Sequence, residues 1–413
     1  MTSPAVRATG AWTVAADLPT ASSWYGQHDG AVQLDAAGAV LVAGGADSAS
    51  AALSQAALFD PVAGTWNVVG ALRTPRRLHT LTRLAGGKVL VAGGLSGSAP
   101  GAPALASAEL YDPATRSWTP TGALAGPRWG HAAALLPDGK VLVSGGTSIR
   151  SGTTTKALRS AELYDPIAGT WSAAGDMTDA RTGHSAVVLA GGAALVCGGT
   201  APVGTADDPA LAFCELYDPV AGKWTPTGSL LRGRRLHQAT KVSDQAVLVT
   251  GGAAPGAPGG GPFDPFSQRT AELYDLNSGT WKTVAPMPSG RALHRAVPFG
   301  AGKVLVVGGA ASDRDEAGYR SAVLYDAATD TWSPVAGLAT GRWAFAVAPL
   351  PSGRVLVTGG IARSGLAAAD PAATELTATT EIFASEAGAN PEADRGSNPD
   401  GEGGSDAVPG SDS

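Results

Sequence analysis

A Gly-Gly pair recurs seven times, at 44–45, 93–94, 145–146, 198–199, 251–252, 308–309 and 359–360, each time directly after an apolar β-type run such as "VLVAGG". No other feature restricts the fold of this chain as severely. Each pair is followed by a loop and a second strand-like segment ending in an aromatic: "ALFD" at 57–60, "ELYD" at 109–112, 162–165, 215–218 and 272–275, "VLYD" at 323–326 and "EIF" at 381–383. A short polar turn then leads to Trp66, Trp118, Trp171, Trp224, Trp281 or Trp332. Each unit therefore reads as four short strands joined by polar turns: A, as in "HAAALL" at 131–136, B ending in the Gly-Gly, as in "KVLVSGG" at 140–146, C, as in "AELYD" at 161–165, and D around the Trp, as in "SWTPTG" at 117–122. One such unit cannot bury its apolar faces alone, so the copies must stack on one another. Stacked repeats also spare 413 residues the division into two or three domains that their length suggests.

The order Gly-Gly, Tyr-Asp, Trp at a period of about 50 residues resembles the kelch repeat. The resemblance spans about residues 11–384. It implies an all-β fold, a seven-bladed kelch β-propeller with four antiparallel strands per blade around a central channel. A physical argument supports closure: the seventh copy stops at Phe383 without a Trp strand, while the chain opens with an unmatched one, "AWTVA" around Trp12. An open array would leave strand edges bare at both ends. Residues 11–15 are therefore expected to pair into blade 7 as its strand D. The expected organisation is a leader over 1–10, the propeller over 11–384 and a disordered acidic Gly/Ser-rich tail over 385–413, too poor in apolar residues to fold.

The net charge of −6 belongs to that tail, since residues 384–413 carry seven acidic groups against Arg395 and the remaining body sums to zero. A neutral body argues against nucleic-acid binding and against a membrane-binding surface, both of which need a basic excess. No apolar run approaches the ~18 residues of a membrane helix, and "MTSPAVRATGAW" lacks the form of a secretion signal. As written, the sequence predicts a soluble, cytoplasmic chain, or a secreted one from which a signal has been removed, and a monomer.

In each blade the A–B and C–D turns are short and uniform, whereas the B–C loops range from "ADSASAALSQ" to "AAPGAPGGGPFDPFSQR" at 253–269. Variable loops on a rigid scaffold are where binding concentrates. The face carrying the B–C and D–A connections, with its channel mouth, is the expected working face. Fourteen residues before each first Gly stand Gly30, His79, His131, His184, His237, His294 and Phe345; three residues earlier stand Gln27, Arg76, Arg128, Arg181, Arg234, Arg291 and Arg342. Two readings of these columns are open. The arginines pair internally with the strand C column Glu109, Glu162, Glu215, Glu272 and Glu381, by the rule that buried charges are paired. Alternatively they ring the mouth and take carboxylates in two-pronged fashion, as in some kelch receptors of acidic peptides.

The column directly after the Arg reads His28, Arg77, Trp129, Thr182, Arg235, Ala292 and Trp343, and varies freely between fixed neighbours. Of ten Trp, the three outside the strand D repeat are Trp24, Trp129 and Trp343, all near the start of strand A. Aromatics interleaved with Arg have the composition of a binding hot spot, although a Trp can also merely cover a gap between blades. The candidate ligand-binding set is Trp24, His28, Arg76, Arg77, Arg128, Trp129, Arg235, Arg342 and Trp343. Phe263, Phe266, Tyr319 and the "DRDE" of 313–316 add to it from the loops.

Catalytic chemistry finds little purchase. The kelch scaffold also serves copper radical oxidases, whose site requires two Tyr, two His and a Cys cross-linked to one Tyr. Here no Tyr-His pair occurs and neither Cys197 nor Cys214 has a counterpart, so that activity is not expected. No Gly-x-Ser-x-Gly elbow, His-Glu-x-x-His pair or phosphate loop is present. A ring of column histidines holding one ion would need a narrow channel, and two Cys are too few ligands, so no metal and no cofactor are expected. Cys197 ends a strand B and Cys214 begins the following strand C, which places a disulfide within reach, while a column of small residues explains Cys214 equally well. The expected function is a binding module that holds an anionic small ligand or an acidic peptide or protein segment at the mouth. The alternative is a non-redox enzyme, of isomerase, lyase or cyclase type, acting on a small anionic substrate there.

Overall fold

The aromatic that ends each strand C faces the tryptophan of strand D across the ladder, and this pairing fixes the register of six blades. In the computed structural model, which describes residues 10–26, 30–98, 102–151, 154–201, 210–254, 267–311, 316–370 and 372–385, Tyr111 stands opposite Trp118, Tyr164 opposite Trp171 and Tyr325 opposite Trp332. Their ring centroids lie 4.9–5.2 Å apart at tilted angles, the favourable geometry for aromatic pairs. Most of these indoles then reach outward: Trp171 Nε1 donates to Gly122 O at 2.7 Å, Trp224 Nε1 to Ala174 O at 2.9 Å, Trp281 Nε1 to Gly228 O at 2.8 Å and Trp332 Nε1 to Ala285 O at 2.7 Å, all in the preceding blade. The repeated Trp thus ties one blade to the next.

Seven four-stranded antiparallel sheets result. Blade 1 comprises Val32–Gln33, Val40–Ala43, Ala56–Asp60 and Thr65–Val69, and blades 2 to 6 follow in chain order. Blade 7 is completed from the other end of the chain: Ala346–Leu350, Arg354–Thr358 and Thr380–Ser385 are joined by Gly10–Ala15, with Trp12 opposite Phe383. Trp12 Nε1 donates to Ala336 O of blade 6 at 2.7 Å, as Trp171, Trp224 and Trp332 do to the blades before them. The N-terminal strand therefore closes the ring as expected.

The core lies between blades. One cluster joins Leu34, Leu41 and Ala43 of blade 1 to Val89, Val91 and Tyr111 of blade 2, and comparable clusters fill other blade boundaries. The Gly-Gly pair permits this close approach. At Gly93 a Cβ would stand 2.6 Å from Arg128 O and 2.7 Å from His131 Cε1 of the next blade. At Gly94, with φ +100°, it would stand 2.7 Å from Arg77 O. Only glycine fits such a crowded, left-handed position. On the B–C face, blades 3 and 7 add two-stranded ribbons, Thr147–Ser151 with Thr154–Ala157 and Ile361–Ser364 with Thr374–Leu376. No helix among the described residues is long and apolar enough to cross a membrane.

Candidate functional site

Three residues before the buried aromatic or imidazole of strand A, the repeat arginines turn inward. Arg76 Nη2 meets Glu109 Oε1 at 2.9 Å, Arg128 meets Glu162 at 2.7 Å, Arg181 meets Glu215 at 3.3 Å, Arg234 meets Glu272 at 2.6 Å and Arg342 meets Glu381 at 2.7 Å. The other guanidinium arm closes on the Gly-Gly carbonyl, as in Arg76 Nη1 to Gly93 O at 2.9 Å and Arg342 Nη1 to Gly359 O at 2.9 Å. Burial pulls Arg76, Arg128 and Arg342 below their ordinary range, and their glutamates pull them back. Each glutamate also accepts from the D–A turn: Glu109 takes Arg73 N and Thr74 N, and Glu381 takes Ala339 N and Thr340 N. One ion pair thereby holds the start of strand A, the end of strand B and the start of strand C. Of the candidate ligand residues, Arg76, Arg128 and Arg342 accordingly have their guanidinium groups inside the blades.

Two blades lack the glutamate. Ala57 in blade 1 and Val323 in blade 6 occupy its position, and the turn residue that would donate to it is Pro19 or Pro288, which has no N–H. Arg291 is left with Gly308 O, Ser321 O and the hydroxyls of Ser289 and Ser321 at 2.9–3.2 Å, beneath the Tyr319 ring. Burial brings its pKa down to about 10.

The histidine column spaces the blades. His131 Nε2 lies 3.1 Å from Thr80 Oγ1, His184 Nε2 3.1 Å from Ser144 Oγ, His237 Nε2 2.8 Å from Ser185 Oγ and His294 Nε2 2.8 Å from Thr250 Oγ1, each in the preceding blade. Burial, with the nearby arginine adding to it, drives His79 and His131 down to about 3, so both are neutral in the folded protein. In blade 1 the column is displaced from the simple count. Tyr25 fills it, buried and bonded to Ser22 Oγ at 2.6 Å, while five residues, 26–30, separate it from Ala31 and the short strand at Val32–Gln33. His28 falls outside the described residues, as do Phe263, Phe266 and residues 313–315 of the "DRDE" stretch.

The residues between these columns build the mouth. Trp24, Leu78, Gly130, Gly183, Leu236, Leu293 and Ala344 all have φ between +50° and +68°. Each donates its backbone N–H to the carbonyl of its counterpart one blade back: Leu78 to Trp24 at 2.8 Å, Gly130 to Leu78 at 3.2 Å, Gly183 to Gly130 at 3.1 Å, Leu236 to Gly183 at 3.0 Å, Leu293 to Leu236 at 3.2 Å and Ala344 to Leu293 at 3.2 Å. Trp24 donates to Ala344 at 3.1 Å and completes the circle. No sequence pattern marks this ring, because glycine, leucine, alanine and tryptophan share only a backbone conformation there. Five non-glycine residues held left-handed store strain of order 1–3 kcal/mol each, concentrated around the channel.

The freely varying column flanks the ring. Its members bridge to the residue after each Gly-Gly: Arg77 with Leu95, Trp129 with Thr147, Thr182 with Thr200, Arg235 with Ala253, Ala292 with Ala310 and Trp343 with Ile361. Two arcs of different chemistry follow. From blade 5 round to blade 1, Leu236, Leu293, Ala344, Ile361 and Trp343 form one apolar cluster, with Trp24 edge-on to Trp343 at 5.3 Å. In blades 2 and 3 stand Arg77 and Trp129, whose next residues are bonded to each other through Gly130 N and Leu78 O. The structure thus brings Trp24 and Trp343 together, makes Arg77 and Trp129 neighbours, and leaves Arg235 on blade 5.

Arg77 differs in kind from the repeat arginines. It is 8 % exposed, yet its side chain makes no ion pair or hydrogen bond among the described residues. Burial alone lowers its pKa. Buried donors without a partner accompany it at Trp129 Nε1, Trp343 Nε1, Arg235 Nε and Thr147 Oγ1. Thr147 escaped sequence reasoning, although the variable position after each Gly-Gly was its signal. Among the described residues no group of three or more His, Cys, Asp or Glu side chains is placed to hold a metal ion.

Comparisons with known proteins agree with the fold. The kelch motif model matches residues 76–123. The chain is 32 % identical to human Kelch-like protein 34 over 206 residues, covering 50 % of this chain and 30 % of that protein. It is 27 % identical to Kelch-like protein terF of Aspergillus terreus over 318 residues, covering 74 % and 59 %. It therefore spans only part of the length of the curated relatives it matches. A fungal alcohol oxidase of the AA5 family, solved with copper, superposes with a TM-score of 0.67 at 18 % identity, covering 91 % of this chain and 76 % of that one. At that identity the likeness concerns the fold alone.

Proposed function

We propose that this chain, a kelch-repeat β-propeller, is an interaction module that takes a carboxylate-bearing segment of a partner protein at its channel-mouth face, with Arg77 as the anchor. The observation that carries the reading is the missing partner of Arg77. In five blades a buried guanidinium meets a glutamate of the same blade at 2.6–3.3 Å, whereas Arg77, directly after one of those arginines, meets none. A partly desolvated cation without a counter-charge is unfavourable, and a carboxylate from outside relieves it with charge-assisted hydrogen bonds. Trp129 beside it offers a partly exposed aromatic surface, of the side-chain type that dominates binding hot spots. The ring of seven backbone bonds holds both positions rigidly, which limits the ordering that binding requires.

The test is thermal unfolding of the purified chain against short acidic peptides, free dicarboxylates and inorganic phosphate, repeated with Arg77→Gln. At a hundred times its dissociation constant a ligand adds about 2.7 kcal/mol of stability. An acidic peptide is expected to raise the midpoint of the wild type and leave that of Arg77→Gln unmoved. A shift from free dicarboxylate alone reassigns the mouth to a small anion, and an undiminished peptide shift in Arg77→Gln removes Arg77 from the account.

A further inference from the structure

Cys197 and Cys214 occupy directly opposed positions on strands B and C of blade 4, and both are free and buried. In other blades the pair one step further along carries the backbone bond, as in Gly44 N to Gln55 O, Gly145 N to Ser160 O and Gly251 N to Thr270 O. The cysteine pair thus stands at a site between ladder bonds, where antiparallel strands bring side chains closest. Blade 7 shows how close: at the same position Thr358 Oγ1 and Thr380 Oγ1 are 2.9 Å apart. Packing asks only for small residues here, since the equivalent pairs are Ala43 with Ala56, Ala92 with Ala108 and Ser144 with Ala161.

The surroundings of Cys197 are chemically specific. Its Sγ lies 3.0 Å from Ser185 Oγ and 3.8 Å from His237 Nε2, and Ser185 Oγ lies 2.8 Å from the same nitrogen. Cys214 Sγ instead donates to Ala212 O at 3.4 Å. A hydroxyl and an imidazole attend one sulfur and a carbonyl attends the other, so the two thiols are not equivalent.

We infer that Cys197 and Cys214 are a peroxide-oxidisable dithiol that closes into a disulfide across blade 4. Cys197 is the attacking sulfur. Its proton passes by way of Ser185 Oγ to His237 Nε2, and the thiolate attacks one oxygen of hydrogen peroxide. The O–O bond breaks, a sulfenic acid forms on Cys197, and the departing hydroxide takes the proton back from His237 as water. Cys214 Sγ then attacks Cys197 Sγ, the S–O bond breaks, and the released hydroxide leaves as water with the Cys214 proton. Two thiols and one peroxide give one disulfide and two waters. The bridge fastens the end of strand B to the start of strand C in blade 4, beside the Arg181–Glu215 pair. The Cys197 thiol is held well below its ordinary range by Cys214 first and by His237 and Ser185 beside it, while burial opposes the lowering.

The experiment exposes the native full chain to dilute hydrogen peroxide, with glutathione as a reference thiol, then unfolds it in iodoacetamide and maps the peptides by mass. The expected result is a linked Cys197–Cys214 peptide that a dithiol reductant converts to two separate thiols, together with a higher thermal midpoint for the oxidised chain. In Cys214→Ser the sulfenic acid is expected to persist on Cys197, where dimedone captures it. In Ser185→Ala the bridge is expected to form at least several-fold more slowly. Full alkylation of both cysteines after the reference thiol is consumed overturns the inference, and so does dimedone capture at Cys214 in Cys197→Ser at the rate found for Cys197.

Discussion

Replacing Arg128 with Met should cost far more stability than replacing Arg291 with Met, although both side chains are fully enclosed. Arg128→Met leaves Glu162, whose side chain is 6 % exposed, as a buried carboxylate 2.7 Å from an empty charge. Breaking such a pair from one side costs about 3–5 kcal/mol, because the remaining charge is uncompensated. Arg291→Met strands no carboxylate. It removes hydrogen bonds to Gly308 O, Ser321 O, Ser289 Oγ and Ser321 Oγ, a loss that Arg128→Met shares at Gly145 O, Ser160 O and Ser160 Oγ, and relieves a desolvated cation in return. With unfolding entropy of ~2.1 cal/mol/K per residue over roughly 375 residues, 3–5 kcal/mol lowers the midpoint by about 4–6 °C for a propeller that unfolds as one unit. Arg291→Met should lower the midpoint clearly less than Arg128→Met, since it leaves no buried charge unpaired. Scanning calorimetry of both variants decides the matter, with Arg128→Met/Glu162→Met as the third corner. The double variant should recover much of the loss. Equal losses for the two single variants, or no recovery in the double, would refute the ion-pair account of the repeat.

Acid should destabilise the fold through the histidine column. His79 and His131 are held at about 3 when folded, against about 6.5 in an unfolded chain, so below pH 6.5 the unfolded state binds more protons. Their contribution is complete above pH 6.5 and is lost as pH falls toward 3, at up to ~1.4 kcal/mol per pH unit for each. His131→Phe, the residue type that Phe345 places in the same column, should flatten the slope measured by urea unfolding between pH 6.5 and 4. Gly146→Ala puts a Cβ 2.8 Å from Trp129 O at φ +94°, and should cost at least ~1–2 kcal/mol in chemical denaturation. Trp12→Ala removes the half-buried indole that bonds Ala336 O and packs on Phe383; it should cost about 2–3 kcal/mol and promote aggregation, seen as light scattering on heating.

What the sequence disclosed was whatever recurs with fixed spacing. Gly-Gly, Tyr-Asp and Trp announce four strands per blade and the closure by Gly10–Ala15, because each is tied to a backbone or packing demand made in every blade. Counting failed in blade 1, where five extra residues place Tyr25 rather than Gly30 in the histidine column. The arginine column looked the same under either reading of it, and distances were needed to see that Arg76, Arg128 and Arg342 are occupied from within while Arg77 is not. The left-handed ring stayed invisible because its residues differ in type. The loss of Glu in blades 1 and 6 was legible, but its link to Pro19 and Pro288 required knowing which N–H groups the glutamates receive.

The most direct measurement is a calorimetric titration of the full chain with a short polyglutamate peptide at low and at physiological salt, comparing wild type, Arg77→Gln and Lys140→Gln. Lys140 carries the same charge in an A–B turn on the opposite face, paired with Asp138 at 3.6 Å. Binding is expected to weaken with salt, to fall at least tenfold in Arg77→Gln and to be unchanged in Lys140→Gln. Equal losses in the two variants, or binding that ignores Arg77, would contradict it.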